Sequence, residues 1–315
     1  MLIKRTSTSI PAIFACLLWA SAFVGIKIGL EYTTPLNFAG LRFMISGLLI
    51  LPFVGGLATY FSAIRKHWKI VVLISLLQTF LQYALFYQGI NRVPASLAAI
   101  IIGAQPLFIA FVAHFLMPGD SLNWKKLLIY FFGFSGIILV SLGRENFSVS
   151  GEAEISGIIF LILVNIIAGF SNVFVAKDGR KIPALVLSSS SMLFGGLLLY
   201  LVSIPLEGFT ALRQPPPYYY SLFYLSALSA VAISIWFILL KRPGVKVSDL
   251  NFWKFLIPLL GAVLAWIILP GEKINIYALL GMFIIAASLV LLNLYKQWHS
   301  VKKRLKFAIV KTNKS

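Results

Sequence analysis

The stretch LPGEKINIYALLG at residues 269–281 repeats the pattern of MPGDSLNWKKLLI at residues 117–129, each at the seam between two apolar runs. The two Pro-Gly-acid turns are 152 residues apart, since 270 − 118 = 152. The register extends in both directions without a gap, and the same offset pairs Pro106 with Pro258, Ala110 with Ala262, Asn123 with Asn275 and Phe131 with Phe283. A repeat at half the chain length indicates a duplicated unit.

The composition is that of an integral membrane protein. Of the 315 residues, 60% are hydrophobic and only 11% are charged, and the mean hydropathy is +0.94. A soluble domain is roughly half apolar and a quarter charged. The net charge of +18 would suggest a nucleic-acid partner for a soluble protein. In a membrane protein the placement of that charge matters more, and no nucleic acid is expected.

Ten apolar runs are long enough to cross a bilayer, since a spanning helix needs about 20 mostly apolar residues. They predict an all-α membrane fold of ten transmembrane helices. The first run continues to Leu30, so we interpret it as an uncleaved span and not as a signal peptide. The runs lie near residues 10–30, 36–56, 69–90, 95–117, 124–142, 154–176, 182–204, 218–240, 249–269 and 275–295.

The distribution of Lys and Arg predicts the orientation. The amino-terminal segment, every second loop and the tail hold 21 of the 27 basic residues, with Lys254 counted among the loops. Short basic loops stay in the cytoplasm, so both termini are expected inside. Five spans per half then make the second half an inverted repeat, with a substrate site near the midplane between the halves. The predicted units are residues 1–150, residues 151–296 and a basic cytoplasmic tail at 297–315.

Two prolines in equivalent positions, Pro106 and Pro258, lie near the middle of the fourth and ninth spans. A proline inside a helix removes one backbone hydrogen bond and clashes with the carbonyl four residues back, here that of Ile102 or Lys254. In lipid such a carbonyl must be satisfied by protein or by cavity water. We interpret the pair as kinks that line a central cavity, with kinks that serve packing alone as the alternative.

Two basic residues, Lys27 and Arg42, fall within spans, both in the predicted outer half of the membrane. Charges at such depth are costly and are functional by default. Lys27 has a structural alternative, because it can extend outward or pair with Glu31 four residues on. Arg42 lies about two turns deep and needs a partner or a wet cavity. It contacts an anion or, alternatively, holds the carbonyl ends of helices.

Polar and aromatic side chains in the spans are candidates for substrate contact. Gln78 and Gln82 are four residues apart and share a helix face. Inward amides beside aromatic walls are typical of small-molecule sites. The alternative is interhelical hydrogen bonding, which contributes only about 0.6 kcal/mol on average. The complete set of candidate substrate-binding residues is Trp19, Arg42, Gln78, Gln82, Tyr83, Gln105, Pro106, Asn172, Trp236 and Pro258.

The nine acidic residues all fall in loops or at span ends, so no carboxylate is expected at the midplane. A proton-coupled pump usually needs such a group as a relay. The sequence also shows no metal-ligand spacing, no phosphate-binding glycine motif and no nucleophile beside a base. We therefore expect neither an enzyme nor a cofactor, and exchange, facilitated movement or weak coupling in place of a carboxylate relay.

A family pattern runs through the chain. Trp19 stands in LLWASAFVGIKIGL, Arg42 in PLNFAGLRFMISGLLILP and Pro106 in PASLAAIIIGAQPLFIAFVAHFLMPGD. Pro258 stands in FLIPLLGAVLAWIILPGEKINIYALLGMFIIAASLVLL. With these motifs the chain resembles, up to about residue 296, the EamA-type branch of the drug/metabolite transporter superfamily. It departs at Asp120, where many members have Glu, and in the sixth span, which lacks a tryptophan corresponding to Trp19.

The resemblance implies a ten-helix inverted repeat around a cavity formed by spans one to four and six to nine. It also implies movement of small metabolites, amino acids or related polar or amphipathic compounds, across the cytoplasmic membrane, often as efflux by alternating access. The alternatives are a lipid-carrier flippase or its subunit, and a membrane sensor without transport. The expected partners are a small-molecule metabolite and the lipid bilayer, with anionic lipid at the basic tail. The sequence leaves a homodimer open.

Overall fold

Helices make up the secondary structure of the part of the chain that this computed structural model describes, in which no strand occurs. That part comprises residues 8–90, 92–93, 95–142, 151–209, 213–268 and 276–312. A helix satisfies its backbone hydrogen bonds internally, which is what a chain this apolar needs in lipid. The predicted turn at residues 270–275 and the side chain of Lys27 lie outside the described residues.

The helices fall into two sets, one in each half of the chain. In the first half they are α1 (Ser9–Leu30), α2 (Pro35–Ile50), α3 (Leu57–Lys66), α4 (Trp68–Ile74), α5 (Gln82–Ile90), α6 (Ala95–Gly103), α7 (Gln105–Leu116) and α8 (Trp124–Leu142). In the second half they are α9 (Glu152–Lys177), α10 (Ala184–Glu207), α11 (Pro216–Leu240), α12 (Val247–Asn251), α13 (Leu256–Ile268) and α14 (Ile276–Thr312). A π-helix joins α4 to α5 over Ser75–Leu81. Turns of 3-10 helix occupy Leu51–Phe53, Asp178–Lys181 and Phe252–Phe255.

Within the described residues, six helical segments are long and apolar enough to cross a membrane: Ser9–Leu30, Pro35–Phe53, Trp68–Ile90, Glu152–Lys181, Ala184–Glu207 and Pro216–Leu240. They coincide with the predicted spans one to three and six to eight. Two shorter apolar helices cover Ile100–Leu116 and Leu279–Tyr295. The other four predicted spans are occupied by α6–α7, α8, α12–α13 and the start of α14, and the count of ten crossings stays a prediction.

The two halves pack through equivalent helix pairs. Helix α2 packs on α10 and α8 packs on α14, so each of these helices meets its own counterpart in the other half. Helix α7 packs against α9 as α13 packs against α1, and α5 packs against α9 as α11 packs against α1. A two-fold axis between the halves relates contacts in this way. The pairing therefore fits the two-repeat architecture.

The fourth and ninth predicted spans are broken helices. Helix α6 ends at Gly103, and α7 begins at Gln105 with Pro106 in its second position. In the ninth span, Pro258 is the third residue of α13, which follows the 3-10 turn Phe252–Phe255. Proline is tolerated in the first turn of a helix, where its missing N–H would be unpaired anyway. The kinks predicted from the sequence thus occur as breaks in both halves.

Helix α3 was not predicted. The second membrane segment ends at Phe53, and α3 then covers a stretch that was expected to be a connection. It is amphipathic: Leu57 and Phe61 are exposed, whereas Tyr60 is buried and its hydroxyl lies 3.3 Å from the Ser189 hydroxyl of α10. A short helix with an apolar outer face is typical of a segment lying at the membrane interface.

Helix α14 extends beyond the predicted tenth span. It continues without a break from Ile276 to Thr312, so most of the predicted basic tail is helical. The Lys125 ammonium lies 5.6 Å from the centre of the Trp298 ring, which connects this extension to the start of α8.

The contact between α2 and α10 depends on glycine. A Cβ at Gly40 would lie 2.6 Å from the backbone nitrogen of Tyr200, and a Cβ at Gly47 would lie 2.8 Å from the carbonyl oxygen of Ser189. Small residues allow helices to approach closely in a membrane, where van der Waals packing replaces the hydrophobic drive. The two halves therefore meet at near backbone distance along this helix pair.

We predict that Gly40→Ala lowers the stability of the purified protein by about 1–3 kcal/mol, because the added methyl forces α2 away from α10. The measurement is thermal unfolding in detergent. Leu48→Ala, on the 53% exposed face of the same helix, is the control and should change stability by less than about 0.5 kcal/mol. Equal melting temperatures for Gly40→Ala and the unaltered chain would contradict the close-packing argument.

Candidate functional site

A cavity of about 160 Å³ lies between the two halves. Its walls come from helices of the predicted spans one to four, six, eight and nine, which agrees with the set expected from the family resemblance except for span seven. The described residues that line it are Trp19, Ala22, Ile26, Arg42, Gln78, Gln82, Tyr83, Phe86, Ile102, Gln105, Val164, Leu228, Ser229, Ile233, Trp236, Phe237, Lys254 and Ile257.

Arg42 supplies one of the two positive charges among the described residues that line the cavity. Its side chain is only 3% exposed, and its guanidinium lies 4.4 Å from the ring centre of Phe43 and 5.5 Å from that of Tyr83. Among the described residues Arg42 has no ion-pair partner, and its buried Nε has no hydrogen-bond acceptor. The aromatic rings and a side-chain hydrogen bond with Tyr83 hold the guanidinium in place, while its Nε–H stays without an acceptor.

The amides of the third span lie on the same wall as Arg42. Gln78 belongs to the π-helix Ser75–Leu81, and its Oε1 accepts a hydrogen bond from the Ser171 hydroxyl of α9. Gln82 begins α5, and its Oε1 is buried without a partner in the described structure. A π-helical turn frequently occurs at a functional site. Here it widens the helix at the position where both amides reach the cavity.

Lys254 supplies the second positive charge, and its predicted place in a loop was wrong. Its Nζ donates a hydrogen bond of 2.9 Å to Gln105 Oε1. The same ammonium lies 5.5 Å from the Trp19 ring centre and 5.2 Å from that of Trp236. Lys254 is therefore a cavity residue and not part of a cytoplasmic loop. The sequence held the signal, because Lys254 falls within the predicted ninth span, residues 249–269, one helical turn before Pro258.

Asn172 positions a wall residue and is not itself part of the lining. The Trp236 Nε1–H donates a 3.0 Å hydrogen bond to Asn172 Oδ1, and Asn172 Nδ2 donates a 2.8 Å bond to the Ala168 carbonyl. The rings of Trp236 and Trp19 meet edge-on at 5.0 Å. Asn172 thus fixes the orientation of the indole that faces Lys254.

The two prolines likewise act through their neighbours. Neither Pro106 nor Pro258 is among the described lining residues, but each helix break brings flanking side chains to the cavity. Gln105 immediately precedes Pro106, and Lys254 lies four residues before Pro258. Of the candidates predicted from the sequence, the lining set includes Trp19, Arg42, Gln78, Gln82, Tyr83, Gln105 and Trp236.

The polar residues of α10 and part of those of α9 pack helices together. The Ser188 hydroxyl lies 3.1 Å from the Ser234 hydroxyl, and the Ser189 hydroxyl donates a 2.8 Å bond to the Gly47 carbonyl. Asn165 Nδ2 donates to the Ile101 carbonyl beside the break in the fourth span. For these side chains the alternative interpretation applies: the amides and hydroxyls within the spans form hydrogen bonds between neighbouring helices.

Acidic side chains serve helix ends away from the cavity. The Glu207 carboxylate accepts hydrogen bonds from the Leu36 and Asn37 N–H groups at the start of α2. Within the described part of the chain, no acidic residue lines the cavity. The described lining residues that carry charge are the two cations, Arg42 and Lys254, beside the amides and the aromatic rings.

A second acidic group joins the two halves at one end of the fold. Asp120 Oδ2 accepts a 2.9 Å bond from the Ser248 N–H at the start of α12. Lys126 and Asp249 form an ion pair of 2.8 Å beside it, and the Tyr130 hydroxyl donates a 2.7 Å bond to the Ser248 carbonyl. This network anchors the beginning of the ninth span, which carries Lys254.

The chain matches known proteins over most of its length. The model of the EamA-like transporter family matches twice, over residues 7–142 and 155–294. The chain is 26% identical to the uncharacterized transporter YvbV of Bacillus subtilis, over 92% of this chain and 93% of YvbV. It is 26% identical to the uncharacterized inner membrane transporter YedA of Escherichia coli K12, over 90% of each chain.

A solved structure shares the fold. A crystal structure of a protein at 18% identity superposes with a TM-score of 0.79, covering 93% of this chain and 98% of the other. An uncharacterized transporter of Archaeoglobus fulgidus is a further relative at 26% identity, over 91% of this chain and 97% of the relative.

We predict an energetic coupling between Asn172 and Trp236. Asn172→Ala leaves the buried indole N–H unpaired, which costs about 1–3 kcal/mol of stability. In a Trp236→Phe background, which has no N–H to satisfy, the same change should cost much less. Thermal unfolding of the two single variants and the double variant measures the coupling. Additive effects would contradict the assignment of Asn172 as the residue that holds Trp236.

Proposed function

The chain belongs to the EamA-like transporter family, and on that premise we propose that it carries a small metabolite across the cytoplasmic membrane by alternating access to the central cavity. The observation that carries the proposal is the cavity itself, which lies between two structurally equivalent halves and is lined by Arg42, amides and aromatic rings. Rocking of one half against the other around a fixed site is how many inverted-repeat transporters work.

The size of the cavity supports a small solute. Its volume of about 160 Å³ lies below the roughly 300–1,000 Å³ of sites for drug-sized ligands. It is close to the roughly 150 Å³ of an engineered protein cavity that binds benzene. We propose amino acids or related polar or amphipathic metabolites as substrates, with efflux as the direction. The volume favours such a solute over a lipid carrier, which was the first alternative.

The proposal includes an arrangement in the membrane. Ten spans, an inverted second half and both termini on the cytoplasmic side account for the concentration of Lys and Arg in every second loop. Anionic lipid is proposed as a partner of the basic end of α14, because each basic residue near an anionic surface contributes roughly 1 kcal/mol.

Coupling to a proton through a carboxylate is not part of the proposal. The described lining residues include no acid, and a carboxylate is the usual intramembrane proton relay. Exchange of one solute for another, or facilitated movement, needs no titrating acid. We therefore propose that the free energy for net transport comes chiefly from the solute gradients.

The test is transport by the full chain reconstituted in proteoliposomes loaded with a mixture of metabolites. We predict that Arg42→Ala lowers the flux of the transported solute at least about tenfold, because a lost charged hydrogen bond costs about 1.5–3 kcal/mol. Arg65→Ala, on the exposed side of α3, is the matched control and should transport normally. Size-exclusion profiles and melting temperatures show whether both variants fold.

The outcomes separate the alternatives. Folded Arg42→Ala with unchanged flux would remove Arg42 from the site. Solute binding without flux in the unaltered protein would favour the sensor alternative. Since Arg42 is buried, Arg42→Lys is a second variant, which keeps the charge, loses the planar group and is expected to retain partial flux.

A further inference from the structure

We propose that the solute is a small organic anion without an ammonium group, whose acid group binds between Arg42 and Lys254. The inference rests on the proposed transport function and narrows its substrate class to the related polar or amphipathic metabolites that carry an acid group, so that amino acids are excluded. It also makes Lys254 a substrate-binding residue. The observations that carry it are the charge of the described cavity walls, the unused hydrogen-bonding capacity of both cations and the contacts that these cations already make with three of the lining aromatic rings.

The charged residues among the described cavity walls are all positive. Two cations face a cavity in which no described lining residue is acidic. Glu207 is engaged with the first N–H groups of α2, and Asp249 is paired with Lys126. A buried charge is tolerated only with a partner of opposite sign or sufficient hydrogen bonds. An anionic solute supplies the charge that the surrounding protein does not.

Both cations have hydrogen-bond donors without a partner in the described structure. The Arg42 Nε is buried and unpartnered in the described structure. A lysine ammonium has three donors, and Gln105 Oε1 is the one hydrogen-bond acceptor of Lys254 among the described residues. Each group therefore has more N–H donors than partners, and the remaining donors are available to the oxygens of a carboxylate or phosphate. Such charge-assisted bonds are stronger than neutral ones.

The described cavity walls offer a poor binding site for a solute ammonium group. In a cavity without acids, an ammonium group usually binds on an aromatic face. Of the lining rings, Trp19 and Trp236 already contact Lys254 and Tyr83 contacts Arg42. Phe86 and Phe237 are left, but the ammonium of an amino acid lies one carbon from the carboxylate, which would bind between the two cations. An amino acid would thus bring its positive charge close to two others.

A further polar group of the wall can bind a hydroxyl. Gln82 Oε1 is buried and has no partner in the described part of the chain, so it can accept a hydrogen bond from a solute hydroxyl. Apolar side chains, including Ala22, Ile26, Leu228 and Ile233, form other parts of the wall. A short branched or aromatic body fits beside them in a cavity of about 160 Å³. A small hydroxy acid with an apolar side chain satisfies every requirement.

The experiment compares two solutes of one carbon skeleton in proteoliposomes that contain the full chain. The anion is 2-hydroxy-4-methylpentanoate and the zwitterion is leucine, which has an ammonium in place of the hydroxyl. We expect the hydroxy acid to be taken up at least about tenfold faster. Lys254→Gln should lower its uptake at least about tenfold, and Lys254→Arg, which keeps the charge, should restore part of it.

The matched control is Lys246→Gln, which removes the same charge from an exposed position eight residues earlier and should leave uptake unchanged. If Lys254→Gln does not fold, the comparison of the two solutes in the unaltered chain decides alone. A panel of organic acids, zwitterionic amino acids, organic cations and sugars completes the assay.

Three results are informative. Preferred uptake of anions that depends on Lys254 supports the inference. Uptake of leucine, a cation or a sugar at least as fast as the hydroxy acid, or unchanged uptake by folded Lys254→Gln, overturns it while the transport function stands. No uptake of any solute in the panel removes the proposed transport function and the inference with it.

Discussion

The hydrogen bond from Lys254 to Gln105, at 2.9 Å, joins the two broken helices at the centre of the fold, and the site depends on it. Gln105 begins the helix that contains Pro106, and Lys254 lies in the 3-10 turn that precedes Pro258. Irregular backbone at membrane depth is tolerated only where protein covers it or a cavity solvates it. The irregular backbone at the two helix breaks therefore depends on the cavity for solvation, and the breaks in turn shape the cavity. The charged group of Lys254 lies between the two breaks.

The interface between the halves has two parts, which are held by different kinds of interaction. Along α2 and α10, glycines such as Gly40 bring the backbones together and leave no space for a ligand. Around the cavity, large side chains such as Trp19 and Trp236 keep the helices apart. Close packing makes rigid contacts, and polar cavities make adaptable ones. The proposed alternating access requires such a division, because the halves have to stay associated while the cavity changes its opening.

The sequence predicted the features that follow from pattern and position. The repeat offset located both proline breaks, and the depth of Arg42 marked it as a cavity candidate. Prediction failed where the role of a residue depends on the direction of its side chain. Asn172 bonds to the Trp236 indole and does not face the cavity, because the rotation of a helix about its axis is set by packing. Lys254 was assigned to a loop, since counting basic residues along the chain takes no account of burial. The π-helix at Ser75–Leu81 has no local signature that sets it apart from an α-helix.

The central claim, that the cavity between the halves is the transport path, is tested most directly by its accessibility. Ser229 lines the cavity, and Cys16 is the single natural cysteine. A Cys16→Ala, Ser229→Cys chain in sealed vesicles is treated with a membrane-impermeant thiol reagent from either face. The account predicts labelling from both faces, reduced by the transported solute. Labelling from neither face, or from one face only under every solute condition, would contradict it.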